Sequence, residues 1–351
     1  MFGTTRYHAP VRAADESGRI AVVLVNLGTP QAPTAAAVRR YLAQFLSDPR
    51  VVEQPRWLWL PILYGVILRL RPARSARAYA SIWTEAGSPL LVYSRALAQA
   101  LDRAAGAASG GRISVHLAMT YGEPSLPAVL TELADQGLRR VLLLPLYPQY
   151  SATSTGAALD AAADSLKTLR WPPELRTIGD YHDQPLHVEA LARSVEQHWQ
   201  AHGRAERLLL SFHGIPRRYV DQGDPYAAQC RCTADLLRRR LGLDETGLVI
   251  SFQSRVGREE WLKPYTDQTL TELAQGGVRS VQVLCPGFAV DCLETLEEIA
   301  VENRERFLHA GGERYEYIPA LNDGEDQVAA LLALVLQHCQ GWPAAEPAHA
   351  A

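Results

Sequence analysis

The apolar run Leu208-Leu209-Leu210-Ser211-Phe212 ends in His213, followed at once by Gly214, Ile215 and Pro216. A histidine delivered to the tip of a buried strand can move protons or hold a cation, because the carboxyl ends of parallel strands open onto the crevice where ligands bind. A packed histidine with one satisfied hydrogen bond accounts for the same residue, so its neighbours must decide. Downstream, Val281-Gln282-Val283-Leu284 leads into Cys285-Pro286-Gly287-Phe288 and then Asp291, Cys292, Leu293 and Glu294. Asp291 and Glu294 have the spacing of a capping box at a helix start. A histidine facing a carboxylate at such a helix start also has a chemical use. One histidine with one carboxylate is a sparse ligand set, suited to transient cation binding or proton transfer and not to a structural metal.

These residues need elements that bring them to one place. From Arg19 the chain alternates apolar strands with amphipathic helical stretches. Strands are predicted near 20–26, 113–119 and 141–145, then near 176–178, 207–211, 248–252 and 281–284, which is the pattern of doubly wound parallel sheets. Two domains are expected: residues 19–172, and residues 173–324 after the break Trp171-Pro172-Pro173, with a final apolar helix at about 325–340 packing back on the first. An internal repeat supports the division. Thr131-Glu132-Leu133-Ala134 with Gly137, Arg139, Val141 and Leu144 recurs as Thr271-Glu272-Leu273-Ala274 with Gly277, Arg279, Val281 and Leu284. Superposing the halves matches Leu27-Gly28-Thr29-Pro30 with His213-Gly214-Ile215-Pro216, so Leu27 and His213 are expected to face one cleft from opposite domains.

Composition narrows the chemistry. A net charge of -3 gives no electrostatic footing for a nucleic-acid partner. Gly28 stands in no G-x-G-x-x-G loop, so no nucleotide cofactor is expected. The five cysteines, Cys230, Cys232, Cys285, Cys292 and Cys339, lack the spacing of a disulfide framework or zinc site. With no apolar signal core in Met1 to Arg19, a cytoplasmic protein is expected, and the Ala/Pro-rich tail after Trp342 is expected to fray. The aromatic stretch 57–68, flanked by Arg56, Arg69 and Arg71, is too short to span a bilayer. It reads either as a buried helix or as a surface that grips a ligand or touches a membrane.

A series of short motifs runs along the chain: Val25-Asn26-Leu27-Gly28-Thr29-Pro30, Phe45-Leu46-Ser47-Asp48, Gly87-Ser88-Pro89-Leu90 and Leu144-Pro145-Leu146-Tyr147-Pro148. It continues through Ser211-Phe212-His213-Gly214-Ile215-Pro216, Gln253-Ser254-Arg255-Val256-Gly257 with Trp261-Leu262, and Pro286-Gly287-Phe288 through Glu294. In these segments the chain resembles the ferrochelatases, which insert ferrous iron into a porphyrin at the end of haem synthesis. The resemblance implies two Rossmann-like domains, each a parallel sheet flanked by helices, with protoporphyrin IX gripped between them. It implies His213 and Glu294 as the catalytic and iron-binding pair, and Arg71, Ser88, Tyr121, Trp261 and Phe288 as the porphyrin wall or metal route, beside Leu27, which the internal repeat already assigns to the cleft as a substrate-binding residue.

Ferrous iron is then a substrate, and no tightly bound cofactor is implied. The cysteine-rich extension of cluster-bearing relatives is missing, so no iron-sulfur cluster is expected. Cys292 stands where some relatives carry a histidine. Coproporphyrin, or cobalt or nickel insertion into another tetrapyrrole, is the alternative within the superfamily, and a haem-binding protein without activity is the alternative outside it. With a porphyrin as substrate, the rings of Trp57, Trp59 and Tyr64 can cover a macrocycle and the flanking arginines can meet propionates or lipid phosphates, so 57–68 is expected to form a lip over the cleft that also touches the inner face of the membrane.

Overall fold

The computed structural model describes residues 7–9, 18–257 and 259–342. The expectation of a frayed tail after Trp342, like most of the amino-terminal stretch, lies outside them. The chain builds β1 (Ile20–Asn26), α1 (Ala35–Leu46), α2 (Arg56–Ile62), a π-helical turn (Leu63–Ile67), α3 (Leu68–Ile82), α4 (Pro89–Ser109), β2 (Ile113–Met119), α5 (Leu126–Asp135) and β3 (Arg140–Pro145). A second π-helical turn (Ala152–Gly156) opens α6 (Ala157–Leu166), followed by β4 (Glu174–Thr177), α7 (Pro185–His202), β5 (Arg207–His213), α8 (Arg217–Asp221) and α9 (Tyr226–Arg240). The rest is β6 (Leu248–Gln253), α10 (Thr266–Gln275), β7 (Ser280–Leu284), a long π-helix (Glu294–Asn303), α11 (Arg304–His309), β8 (Arg314–Ile318) and α12 (Glu325–His338).

Two four-stranded sheets result, in the orders β2-β1-β3-β4 and β6-β5-β7-β8, and every pairing is parallel. The middle strands explain the layout. All seven residues of β1, Ile-Ala-Val-Val-Leu-Val-Asn, are buried, as expected of a strand covered by helices on both faces. One face of the first sheet packs with α4 and α12 through Leu24, Leu97, Leu101, Leu331 and Val335. The other face packs with α5 and α6 through Val23, Leu130, Leu133 and Ala158.

The strand at Glu174–Thr177 needs a correction. The restart after Trp171 assigns it to the second half, but it pairs with β3 as the edge of the first sheet. A parallel neighbour of β3 needs a crossover, which α6 supplies, so the strand after that helix returns to the same sheet. β8 is the element that apolar patterning does not reveal. Its sequence Arg-Tyr-Glu-Tyr-Ile alternates polar and aromatic residues, as an edge strand with a single neighbour can.

Register supports the internal match of the halves. Ala21 pairs with Val141 and Arg207 with Val281, and Val141 and Val281 are repeat equivalents. Counting up the strands from those pairs makes Leu27 the counterpart of His213.

Candidate active site

β5 delivers His213 beside Gln253, the last residue of β6. The Nδ1–H of His213 donates to the Gly214 carbonyl at 2.6 Å. A carbonyl only accepts, so this bond fixes the tautomer and leaves the Nε2 lone pair for a proton or a cation. Glycine is required at 214, where a Cβ would come within 2.8 Å of the Gln253 carbonyl and 3.3 Å of the Trp261 ring. Trp261 therefore packs over the strand tip, with its indole N–H donating to the Val256 carbonyl at 2.9 Å. Phe288 forms another wall, its ring centroid 6.4 Å from that of His213.

Gln253 links this tip to the acids. Its side-chain carbonyl accepts the Ser211 hydroxyl at 2.7 Å, and its amide donates to the backbone carbonyl of Glu294 at 3.1 Å. Glu294 begins the long π-helix, which also carries Glu297, Glu298 and Glu302. Its wider turn changes the helical stacking of these carboxylates. Glu298 is the acid that the sequence reading misses. Ser254 donates its N–H to Glu298 Oε1 at 2.8 Å and its hydroxyl to Oε2. Burial pushes the Glu298 carboxyl above its ordinary range, while Ser254 and His213 act in the opposite direction. The signal in the sequence was its position four residues after Glu294 on one helix, a same-side spacing.

Glu294 lies where the second half meets the first. Its preceding residue, Leu293, packs in one apolar cluster with Leu27, Tyr41, Trp59, Tyr79 and Tyr121. Burial raises the pKa of the Tyr41 and Tyr79 hydroxyls well above the usual value, and the Glu294 carboxylate contributes to both shifts. Both phenols therefore stay protonated beside it. Cys292 is buried; burial first, and then the Glu294 carboxylate, pushes its thiol up.

The remaining predicted residues differ in exposure. Arg71 is exposed on α3, the helix that carries Tyr79. Leu27 is half-buried in the cluster just described. Ser88 and Tyr121 are buried. Ser88 accepts the Thr29 hydroxyl at 2.8 Å, and the Tyr121 hydroxyl donates to Asp48 at 2.8 Å. Both hydroxyls thus engage other side chains of the first half.

Asp291 is a correction, since it forms no capping box with Glu294. Its carboxylate is buried and accepts from the Thr295 hydroxyl at 2.9 Å, the Tyr317 hydroxyl at 2.6 Å and the Asn322 amide at 2.8 Å. Its backbone N–H donates to Asn322 and is not available to Glu294. Asp291 ties the acidic helix to β8.

The stretch 57–68 is buried along one side and exposed along the other. Leu63 is 0% exposed, and the Trp59 indole N–H donates to the Leu46 carbonyl at 2.6 Å. Trp57 is 79% exposed and Leu70 73%, and Leu58, Ile62 and Val66 are exposed as well. Positions 58, 62, 66 and 70 recur every four residues, so one apolar stripe faces out while Leu63 anchors the other side.

The ferrochelatase family model matches residues 19–339. A ferrochelatase of Nitrosococcus oceani is 57% identical over 333 residues, covering 95% of this chain and 90% of that protein. One from Methylibium petroleiphilum is 54% identical over 338 residues, covering 96% of this chain and 93% of that protein. Among solved structures, SirB from Bacillus subtilis, determined with Fe3+, aligns with a TM-score of 0.51 at 12% identity over 92% of this chain and 96% of that one. That likeness concerns the two-sheet fold. With relatives this similar over nearly its full length, and with a histidine and a glutamate-bearing π-helix meeting between its sheets, the chain belongs to the ferrochelatase family.

Proposed function

We propose that the reaction carried by the family, insertion of ferrous iron into protoporphyrin IX to complete haem synthesis, takes place between the ends of β1 and β5. In this reading, His213 and Glu294 handle the metal and the pyrrole protons. The observation that carries it is the His213 tautomer: with Nδ1–H committed to Gly214, Nε2 is the basic atom left for the substrate.

A flat porphyrin holds its two N–H protons in the ring plane, so iron enters only when the ring is bent and the nitrogen lone pairs tilt outward. A cleft complementary to the bent ring lowers that barrier. Leu27, Trp261 and Phe288 supply apolar wall, and Arg71 at the rim meets a propionate. Ser88 and Tyr121 shape the wall through Thr29 and Asp48. Nε2 of His213 takes a pyrrole proton, and Glu294 with Glu298 balances the arriving dication and receives the departing protons.

The protein works without a tightly bound cofactor or an iron-sulfur cluster. What supports this is the placement of the cysteines: among the described residues, no three of them bring their sulfur atoms within ligating reach of one another. Among the described residues no helix is long and apolar enough to cross a membrane. We place the protein in the cytoplasm, in peripheral contact with the inner membrane face through the stripe Leu58, Ile62, Val66 and Leu70, with Arg56 and Arg69 near lipid phosphates.

The test is anaerobic incubation with ferrous iron and protoporphyrin IX, following the Soret and visible bands. Conversion to protohaem is expected. Uptake of added haem without synthesis would identify a haem-binding protein instead, and a preference for coproporphyrin would reassign the substrate.

A further inference from the structure

The two halves are joined beside the cleft by contacts of two kinds. One is buried and mostly uncharged: the Gln149 amide donates to the Thr233 hydroxyl at 3.0 Å, and the Tyr150 N–H donates to Gln229 at 2.6 Å. Beside it, the Ser151 hydroxyl and the Ala152 N–H both donate to Asp224.

The other is ionic and centred on Arg218, the second residue of α8. Its guanidinium donates to Glu53 at 3.1 Å, to Glu259 and to the Tyr219 hydroxyl at 3.1 Å, and it lies over the Tyr219 ring at 4.3 Å. The Tyr219 hydroxyl donates to the Val51 carbonyl at 3.3 Å and accepts the Glu53 N–H at 3.4 Å. Arg218 and its two carboxylate partners are about one third exposed, at 30%, 35% and 39% for their side chains.

The partners give this contact its meaning. Glu53 lies three residues before Arg56, where α2 and the exposed apolar stripe begin. Glu259 lies in the loop between Ser254, which grips Glu298, and Trp261, which packs over His213. That loop is also tied to the strand tip, since the Arg217 N–H donates to the Glu260 carbonyl and the Leu262 N–H to that of Ile215. One guanidinium therefore spans from the base of the lip to the loop that frames the catalytic histidine.

We propose that Arg218 is a positioning residue that sets the width of the porphyrin cleft. It latches the lip of the first half to the Trp261 loop of the second, and the buried Gln149 and Asp224 contacts act as the hinge. The latch touches no reacting atom. Its loss loosens the grip on the macrocycle and leaves iron delivery and proton transfer intact. This rests on the reading of the cleft as the porphyrin site.

The experiment compares wild type with Arg218→Ala, Arg218→Lys, Glu53→Gln and the double substitution Arg218→Ala with Glu53→Gln. For Arg218→Ala, the KM for protoporphyrin IX rises about two- to fivefold, the range expected for a part-exposed ion pair, while kcat and the KM for ferrous iron stay as in wild type. Arg218→Lys gives an intermediate value, because it keeps the charge and loses the two-armed fork. Glu53→Gln raises the porphyrin KM in the same direction, and the double substitution adds less than the sum. Added salt raises the porphyrin KM more steeply in wild type than in Arg218→Ala, where the contact between Arg71 and the propionate is the one left to screen.

An unchanged porphyrin KM in both folded single variants, or the same salt dependence in wild type and Arg218→Ala, overturns the latch. Should Arg218→Ala fail to fold, Glu53→Gln reads the same contact. Should the wild type make no haem, the reading of the activity fails, and porphyrin affinity measured by tryptophan quenching still reads the latch through the same comparisons.

Discussion

Ser254 donates both its backbone N–H and its hydroxyl to the carboxylate of Glu298. Ser254 holds a φ of +65° to do so, a left-handed conformation that a residue with a side chain adopts at some cost. Ser254→Gly accepts that backbone and keeps the N–H donor while removing the hydroxyl. Burial already raises the Glu298 pKa, and losing a bond to the charged form raises it further. The carboxylate is then lost at a higher pH on acidification, so the acid limb of the kcat profile moves to higher pH. Glu298→Gln, with no ionisation to shift, lowers kcat by about 10²-fold or more across the profile. Steady-state kinetics at a series of pH values checks both.

His213→Ala is expected to remove nearly all iron insertion, on the order of 10²- to 10⁴-fold in kcat, with an unchanged melting temperature, since the ring is only half-buried. Glu294→Gln should also cripple turnover. Its stability cost should be small, because the carboxylate caps no backbone N–H and the Gln253 bond is to the main-chain carbonyl. Wild-type turnover in a folded His213→Ala protein would exclude the imidazole from the mechanism.

The two sides of the lip separate in one pair of variants. Leu63→Ala truncates a fully buried side chain and costs about 2 to 5 kcal/mol of stability. Val66→Ser with Leu70→Ser changes two exposed side chains of the stripe. That double variant should keep the wild-type melting temperature and bind liposomes containing anionic lipid more weakly. Undiminished liposome binding would rule out the stripe as the contact.

His187, in the first turn of α7, gives a pH dependence of stability. It is buried edge-on to Tyr181 at 5.2 Å, its Nε2 has no hydrogen-bond partner, and burial lowers its pKa to about 4, with nearby His182 acting in the same direction. The unfolded chain binds a proton at about pH 6.5 that the native chain refuses until about pH 4, so stability is greatest above that window and falls as the pH drops through it. The full difference is on the order of 3 kcal/mol. Urea unfolding should show that loss in wild type and a flatter acid limb in His187→Phe.

The fold was legible wherever strands read as largely apolar runs, as the central strands β1, β3 and β5 do, and β7 was found despite Gln282 at its middle. Of the four edge strands, β2 and β6 were found in place and the other two were not. β4 was found and given to the wrong half, and β8 was overlooked, although the repeat that carries Val141 to Val281 also carries the start of β4 to the start of β8. In the site, His213 and Phe288 stood out because a strand end and a glycine turn mark them. Glu298, Ser254 and Gln253 carry no such punctuation, and a polar residue that supports another looks in sequence like any exposed one. Asp291 shows the converse: its spacing from Glu294 suggests a cap, and only the arrival of Tyr317 and Asn322 from distant positions reveals a buried acceptor.

The equivalence of Leu27 and His213 has a stereochemical consequence. Protoporphyrin IX is flat, but its asymmetric substituents make its two faces mirror-related and not identical. A cleft with imidazole and carboxylates on one wall and hydrocarbon at the matching place on the other treats them differently. In the proposed reading, iron would meet one face of the ring while the opposite face rests on hydrocarbon, so a fold built from two like halves would handle its substrate with handedness.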